Sequence, residues 1–172
     1  MSDLSPAYIE AREALLGTPR ATSDPETAAA QPRAYGVIVD IGFNPLFTVA
    51  AFADGTTSAH DGNGYSVTGL GESMQTLVLG RGVLRGAEEN LTSFAPVDSA
   101  PLPAYGRVRF TVLTDDGPMG VEADGAALLK GQHPLSRAFT AVMGIMEQAR
   151  HMAAQLNDPQ PDAAQPDDHK PN

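Results

Sequence analysis

Alternating apolar and polar positions predict three short strands in the first half of the chain. Over 35–42, every second residue from Val37 to Ile41 is apolar, and the opposite face also carries an isoleucine, so both faces should be at least partly covered. A second strand is predicted over 46–53. An Asp-Gly turn signal then leads into a third strand over 56–60.

Apolar residues at helical spacing predict a long central helix over 72–94 and a last helix over 134–156. The central helix contains Gly80, Gly82 and Gly86, and each glycine costs about 1 kcal/mol relative to alanine in a helix interior. Two interpretations follow from this cost. Either another backbone comes close to these glycines, or the helix breaks near Gly82.

A strand hairpin is predicted between the two helices, over 106–113 and 119–123, joined by an Asp-Asp-Gly-Pro turn. The stretch before it, 95–105, contains three prolines and is predicted to be a loop. The order is therefore helix, three strands, helix, two strands, helix. It predicts an α+β fold: a single domain with a five- to six-stranded, mainly antiparallel sheet on which a central helix and a C-terminal helix pack.

The two ends of the chain differ in composition from this domain. A Ser-Pro start and a Gly-x-Pro stop predict a helix over 6–16, so that 1–17 forms an N-terminal helix or arm, either tethered or docked. Residues 18–33 are predicted to be a linker and 34–156 the α+β domain. Residues 157–172 are rich in Pro, Asp, Gln and Ala, a composition typical of a disordered acidic tail.

The composition narrows the function classes. The chain has 172 residues, 42% of them hydrophobic, and no cysteine, which excludes disulfides, thiolate metal sites and a cysteine nucleophile. A formal charge of −10, spread along the chain, disfavours nucleic-acid binding. There is no apolar leader and no run of about 20 apolar residues. We therefore expect a cytoplasmic protein without membrane contact, and the Ala- and Arg-rich composition suggests a bacterial source.

Candidate chemistry is sparse. His60, Asp61 and Asn63 follow a predicted strand and form a candidate ligand-binding group, against the alternative that they are exposed turn residues. The histidines lack metal-ligand spacing, and no serine lies in a Gly-x-Ser-x-Gly elbow. We therefore predict no catalytic residue, no metal and no cofactor. Asp40 is interpreted as an acid that ends its strand and caps a turn.

Four arginines form a candidate contact for a partner. Arg81 and Arg85 lie four residues apart on the central helix, and Arg107 and Arg109 share a face of a later strand. If the helix edge lies beside that strand, the four guanidinium groups would make a positive patch; local ion pairing is the alternative. The predicted partner-contact set is Gly80, Arg81, Gly82, Arg85, Gly86, Arg107 and Arg109.

The element order resembles the roadblock/LC7 family of profilin-like α/β domains. The similarity rests on the opening hairpin, Val37-Ile-Val-Asp40 with Val49-Ala-Ala-Phe-Ala-Asp-Gly55, on the helix around Met74 to Leu91, and on Val108-Arg-Phe-Thr-Val112. This resemblance implies a non-catalytic protein that dimerises by joining sheet edges with central helices alongside, and that scaffolds GTPases or motor complexes. Close helix approach across a dimer would then explain the three glycines.

We therefore expect a non-enzymatic protein-interaction module, homodimeric or bound to a protein partner, with a strand edge or the central helix as the contact. A first alternative is a small enzyme or ligand-binding domain with a pocket near His60–Asn63. A second alternative is an acidic, immunity-type inhibitor of a basic partner, motivated by the evenly distributed negative charge.

Overall fold

The computed structural model describes residues 4–21 and 33–157. The helices are α1 (Pro6–Leu16), α2 (Met74–Glu89), α3 (Gly125–Leu129) and α4 (Ser136–Asn157). The strands are β1 (Ala34–Ile41), β2 (Phe47–Phe52), β3 (Thr57–Asp61), β4 (Ser66–Val67), β5 (Ala95–Pro96), β6 (Arg107–Thr114) and β7 (Gly117–Asp124). Most of the predicted linker over 18–33, and the predicted tail over 157–172 apart from its first residue, lie outside the described residues.

The strands form one sheet in the order β4-β3-β2-β1-β6-β7-β5, and every neighbouring pair is antiparallel. This sheet, with α2 and α4 on it, confirms the predicted α+β fold. It has seven strands instead of five to six because two-residue strands, β4 and β5, add to its two edges. β5 lies within the stretch over 95–105 that was predicted to be a loop.

The main hydrophobic core lies between one face of the sheet and the pair α2 and α4. Its strand side consists of the alternating positions that the sequence pattern placed together, such as Val37, Val39 and Ile41 of β1. Its helix side includes Val83 of α2 and Phe139 of α4. Burial of this apolar area, at about 25 cal/mol per Å², is the main force that holds the helices to the sheet.

The N-terminal helix α1 packs on the opposite face of the sheet. A second apolar cluster forms there, in which Ile38, Ala50 and Leu113 from three strands meet Leu15 and Leu16 of α1. The molecule therefore has three layers, with the sheet in the middle. Of the two arrangements left open by the sequence, tethered arm or docked helix, the structure has the docked one.

Helix α2 is continuous through its glycines, because two of them face other parts of the same chain. A Cβ atom at Gly80 would lie 2.9 Å from Oγ1 of Thr57, and one at Gly86 would lie 2.8 Å from Cβ of Ala138 on α4. The helix begins at Met74 because the Ser73 side chain accepts a hydrogen bond from the Thr76 N–H. The close approach that the glycines allow is therefore within the monomer.

Two glycine replacements on α2 should change stability in opposite directions. A Cβ at Gly82 would lie 3.6 Å from Ala141, an ordinary contact, so Gly82→Ala should stabilise the fold by up to about 1 kcal/mol through helix propensity. Gly86→Ala forces two Cβ atoms to 2.8 Å, and overpacking of about 1–3 kcal/mol should outweigh the same gain. Urea unfolding of both variants measures the difference, and equal effects would contradict the packing described for α2 and α4.

Candidate functional site

A row of polar side chains crosses the sheet on the face that α1 covers. The pairing registers place one residue from each of six adjacent strands side by side. In sheet order these are Ser66, His60, Thr48, Asp40, Arg109 and Glu122. Polar groups in the middle of a sheet need partners once they leave water, so the contacts of this row decide how the face is built.

Helix α1 supplies the partners for the centre of the row. The Tyr8 hydroxyl lies 2.7 Å from Oγ1 of Thr48, and Thr48 donates to Oδ1 of Asp40 at 2.7 Å. Because the Thr48 proton goes to Asp40, Tyr8 is the donor in its bond to Thr48. Tyr8 and Arg12 are one helical turn apart, so the same face of α1 reaches both Thr48 and Asp40.

Arg12 forms the strongest of these contacts. Its guanidinium donates from Nε to Oδ1 of Asp40 at 2.9 Å and from Nη2 to Oδ2 at 2.6 Å, a bidentate pair. Nη2 also donates to the carbonyl of Ala100, in the segment before β6. Asp40 is fully buried, lies one residue before the end of β1 and is paired. The interpretation placed Asp40 correctly at the end of its strand but is wrong about the turn cap, because the carboxylate accepts hydrogen bonds from Arg12 and Thr48.

Burial and pairing act on the pKa values of this cluster. Burial alone would lower the pKa of Arg12, but its hydrogen bonds with Asp40 and the charge of that carboxylate raise the pKa overall. Burial raises the pKa of Tyr8 to about 12, against the opposing effect of its hydrogen bond with Thr48. Arg12 is therefore charged and Tyr8 neutral at physiological pH. Both groups are enclosed, whereas a proton-transfer group must contact its substrate. We therefore interpret the cluster as a structural one.

His60, Asp61 and Asn63, the predicted ligand-binding group, are placed in three different settings. His60 is buried, with Nδ1 2.8 Å from the Ser66 hydroxyl and Nε2 2.9 Å from the Ser58 hydroxyl. Asp61 accepts from the backbone N–H groups of Asn63 and Tyr65 at 3.0 Å each and so closes the turn between β3 and β4. Only Asn63 lines an open cleft.

The four arginines are not brought together, because they lie on opposite sides of the sheet. Val108 and its alternate neighbours on β6 face the core beneath α2 and α4, so Arg107 and Arg109 face the other way. There they share the carboxylate of Glu122, at 3.1 and 2.9 Å. Arg81 and Arg85 are exposed on α2. The predicted patch therefore splits into an ion-paired strand pair and an exposed helix pair.

One open feature is a cleft of about 680 Å³ at one end of the sheet. Three loops form it: the β1–β2 loop, the β3–β4 turn and the segment before β6, with Leu4 at its edge. Phe43, Pro45, Leu46 and Leu102 give it apolar walls, and Asn44, Asn63 and Tyr105 add polar groups. Its size and mainly apolar lining are typical of small-molecule sites.

A second open feature is the outer face of α2. Met74 is 73% and Val78 59% exposed, although both are large apolar side chains on a helix whose inner side is packed. Arg81 and Arg85 continue the same stripe at spacings of three and four residues. We refer to Met74, Val78, Arg81 and Arg85 as the outer stripe.

Neither a metal centre nor a membrane span is found in the part of the chain that the structure describes. Within 4–21 and 33–157, no three His, Cys, Asp or Glu side chains are grouped closely enough to hold a metal ion. None of the helices in these ranges has both the length and the apolar character needed to cross a bilayer.

Comparison with known proteins gives no match: no family model, no curated protein and no solved structure is significantly similar to this chain.

Arg12, Tyr8 and Thr48 are the structurally decisive residues that sequence reasoning missed. One signal was present. Asp40 is an acid inside an otherwise apolar strand, and such a residue needs a buried partner. A basic residue on the apolar side of a nearby helix was the available candidate, and Arg12 is that residue.

Loss of the buried pair should destabilise the protein strongly. In Asp40→Asn, Arg12 keeps its charge without a counter-ion, so we expect a loss of about 3–5 kcal/mol in the free energy of unfolding. Asp116→Asn is the matched control, because Asp116 pairs with Arg33 at 3.8 Å on the surface, with both side chains exposed, and such pairs contribute less than about 1 kcal/mol. Denaturant unfolding of the two variants measures both losses. Similar losses would contradict the role assigned to Asp40.

The imidazole of His60 should titrate at unusually low pH. Burial lowers the pKa of His60 below its ordinary value of 6.5. The unfolded chain therefore binds this proton first, so the stability linked to His60 is complete above a pH of about 6.5 and is lost as the pH falls toward the folded-state pKa. An NMR titration of the ring protons gives the pKa, and His60→Gln should flatten the fall in unfolding free energy below pH 6.5. A midpoint at or above the ordinary value would refute this.

Proposed function

We propose that this protein is a non-enzymatic interaction module that associates with a second copy of itself through the outer stripe of α2. The observation that carries the proposal is the exposure of Met74 and Val78, one helical turn apart, on a helix whose opposite side is fully packed. Scattered exposed apolar residues are ordinary, but two adjacent ones beside charged residues form a small contact surface.

A two-fold contact fits the order of residues along this stripe. If two α2 helices cross in antiparallel orientation at the level of residue 76, Met74 of each copy meets Val78 of the other. The same alignment brings Arg81 toward Glu72 of the second copy, and both side chains are exposed. The apolar pair of the stripe is therefore self-complementary, and Glu72, in the turn before α2, would supply the charge complementary to Arg81, as a symmetric dimer requires.

The charge of the chain makes the arginines of the stripe important. Two copies with a formal charge of −10 each repel one another at low ionic strength. Arg81 and Arg85 place positive charge where the copies would meet and reduce this repulsion locally. We therefore expect the association to depend on these arginines as well as on the apolar pair.

The remaining chemistry of the chain supports a binding role. The buried row, from His60 to Arg109, makes side-chain hydrogen bonds within the protein, although Nε of Arg109 is buried without a partner. The resemblance to the roadblock/LC7 family, whose members are non-catalytic and dimerise with central helices alongside, supports the same proposal as an expectation from topology.

The oligomeric state tests this proposal. Wild-type protein should sediment as a dimer, and Val78→Glu should weaken the dimer by at least about tenfold, because a carboxylate would lose its hydration at the contact. Leu129→Glu is the control, since Leu129 is 62% exposed on α3, away from the stripe. Both replacements are on exposed helical positions, so the fold should persist.

A charge exchange sharpens the test. Arg81→Glu should weaken the dimer, and adding Glu72→Arg to it should restore the association because the proposed ion pair is re-formed with reversed signs. A wild-type protein that remains monomeric at the highest attainable concentration would contradict the proposal. So would a Leu129→Glu variant that dissociates as readily as Val78→Glu.

A further inference from the structure

The cleft at the end of the sheet is built from segments that are already fixed to one another. The Gly42 N–H donates to the Arg107 carbonyl at 2.9 Å, and the Gly106 N–H donates back to Gly42 at 2.7 Å. On the other side, the Gly62 N–H donates to the Leu46 carbonyl at 2.7 Å. These bonds tie the β1–β2 loop to both neighbouring loops. A ligand would therefore enter a formed site and would not have to order the loops.

Gly42 shows how closely the loops are joined. A Cβ atom at this position would collide with the carbonyl oxygen of Ala104, so only glycine allows the β1–β2 loop and the segment before β6 to meet. Gly42 and Ala104 both line the cleft, together with their neighbours Phe43 and Tyr105. The cleft is thus a consequence of specific backbone packing.

The lining of the cleft determines the charge of its ligand. Among the lining residues that the structure describes, there is no carboxylate, guanidinium, amine or imidazole. A charged group that entered the apolar part of the cleft would lose hydration without gaining a counter-ion, which is strongly unfavourable. The lining therefore selects a neutral ligand.

The polar groups of the cleft determine what the ligand must offer. The carboxamides of Asn44 and Asn63 each provide two N–H donors and one oxygen acceptor. The Asn63 backbone N–H is engaged by Asp61, so its side chain is the group available to a ligand. Phe43 and the 83% exposed Tyr105 add aromatic faces, on which a flat ring can pack.

From these features we propose that the cleft binds a neutral small molecule with a flat aromatic or aliphatic body and a carboxamide-like group that both donates and accepts hydrogen bonds. Asn44 and Asn63 recognise the polar group, and Phe43, Leu46, Leu102 and Tyr105 contact the body. This site is separate from the outer stripe of α2 and does not depend on the proposed dimer.

Three probes of the same size and shape test the proposal. Benzamide, benzoate and benzylammonium differ mainly in charge, and each is titrated into the full-length chain while backbone amide resonances are recorded. Benzamide should shift the resonances of Phe43, Asn44, Asn63 and Tyr105 with a dissociation constant in the millimolar range. The two ions should bind at least about tenfold more weakly, because their charge hydration is not replaced.

Variants assign the binding to the cleft. Tyr105→Ala and Asn63→Ala should each weaken benzamide binding severalfold, because each removes one recognising side chain and leaves the backbone unchanged. Tyr65→Ala is the control, since Tyr65 is a 43% exposed tyrosine of the same β3–β4 turn that does not line the cleft. Val78→Glu should bind benzamide like the wild type, whatever its effect on association.

Several results would overturn the proposal. These are equal binding of the three probes, benzamide shifts that cluster away from the cleft, an absence of shifts, or an effect of Tyr65→Ala as large as that of Tyr105→Ala.

Discussion

The pairing of Arg12 with Asp40 is the constraint on which the rest of this structure depends. A carboxylate on the central strand can be buried only with a counter-charge and hydrogen bonds, because an unpaired buried charge is prohibitively unfavourable. Arg12 satisfies Asp40 only if α1 lies across the sheet, and it also holds the segment before β6 through Ala100. One ion pair therefore joins an N-terminal helix, a central strand and a loop that lie far apart in the sequence. It also fixes the face of the sheet that α1 covers.

Enclosure of that face determines where function can lie. The side chains that most often perform proton transfer, such as His60 and Asp40, are bonded to protein groups beneath α1. On the other face, Gly80 and Gly86 let α2 approach the sheet and α4 closely, so the inner side of α2 is fully occupied. Two of the features that remain accessible are the outer stripe of α2 and the cleft between the loops. These two surfaces contain apolar, amide and guanidinium groups.

The sequence predicted the elements well because their signals are local. The alternation of apolar and polar residues predicted β1, β2, β3, β6 and β7, and apolar residues at helical spacing predicted α2 and α4. The predicted bounds of these elements differ from the observed ones by a few residues. The two-residue edge strands and the one-turn helix α3 are too short to have a period.

The contacts that define the sites are non-local. Arg12 and Asp40 are 28 residues apart, and the proposed arginine patch failed because Arg107 and Arg109 alternate with core residues of β6. The cleft joins three separated loops, so only Asn63 of its residues was anticipated.

The outer stripe and the cleft differ in shape, and the shape of each surface determines which kind of ligand it can bind. The outer stripe lies on the exposed side of a helix, so only another protein surface can bury it, and a second copy is the partner that we propose. The cleft is concave and its lining is neutral, and backbone hydrogen bonds between the loops hold it open. A small molecule can therefore bind there without a second protein surface. The loops of the cleft are fixed to β1, β3 and β6, the strands that also bear the buried row. The ion pair beneath α1 thus supports the cleft through the sheet, whereas the stripe depends on the packing of α2 against α4.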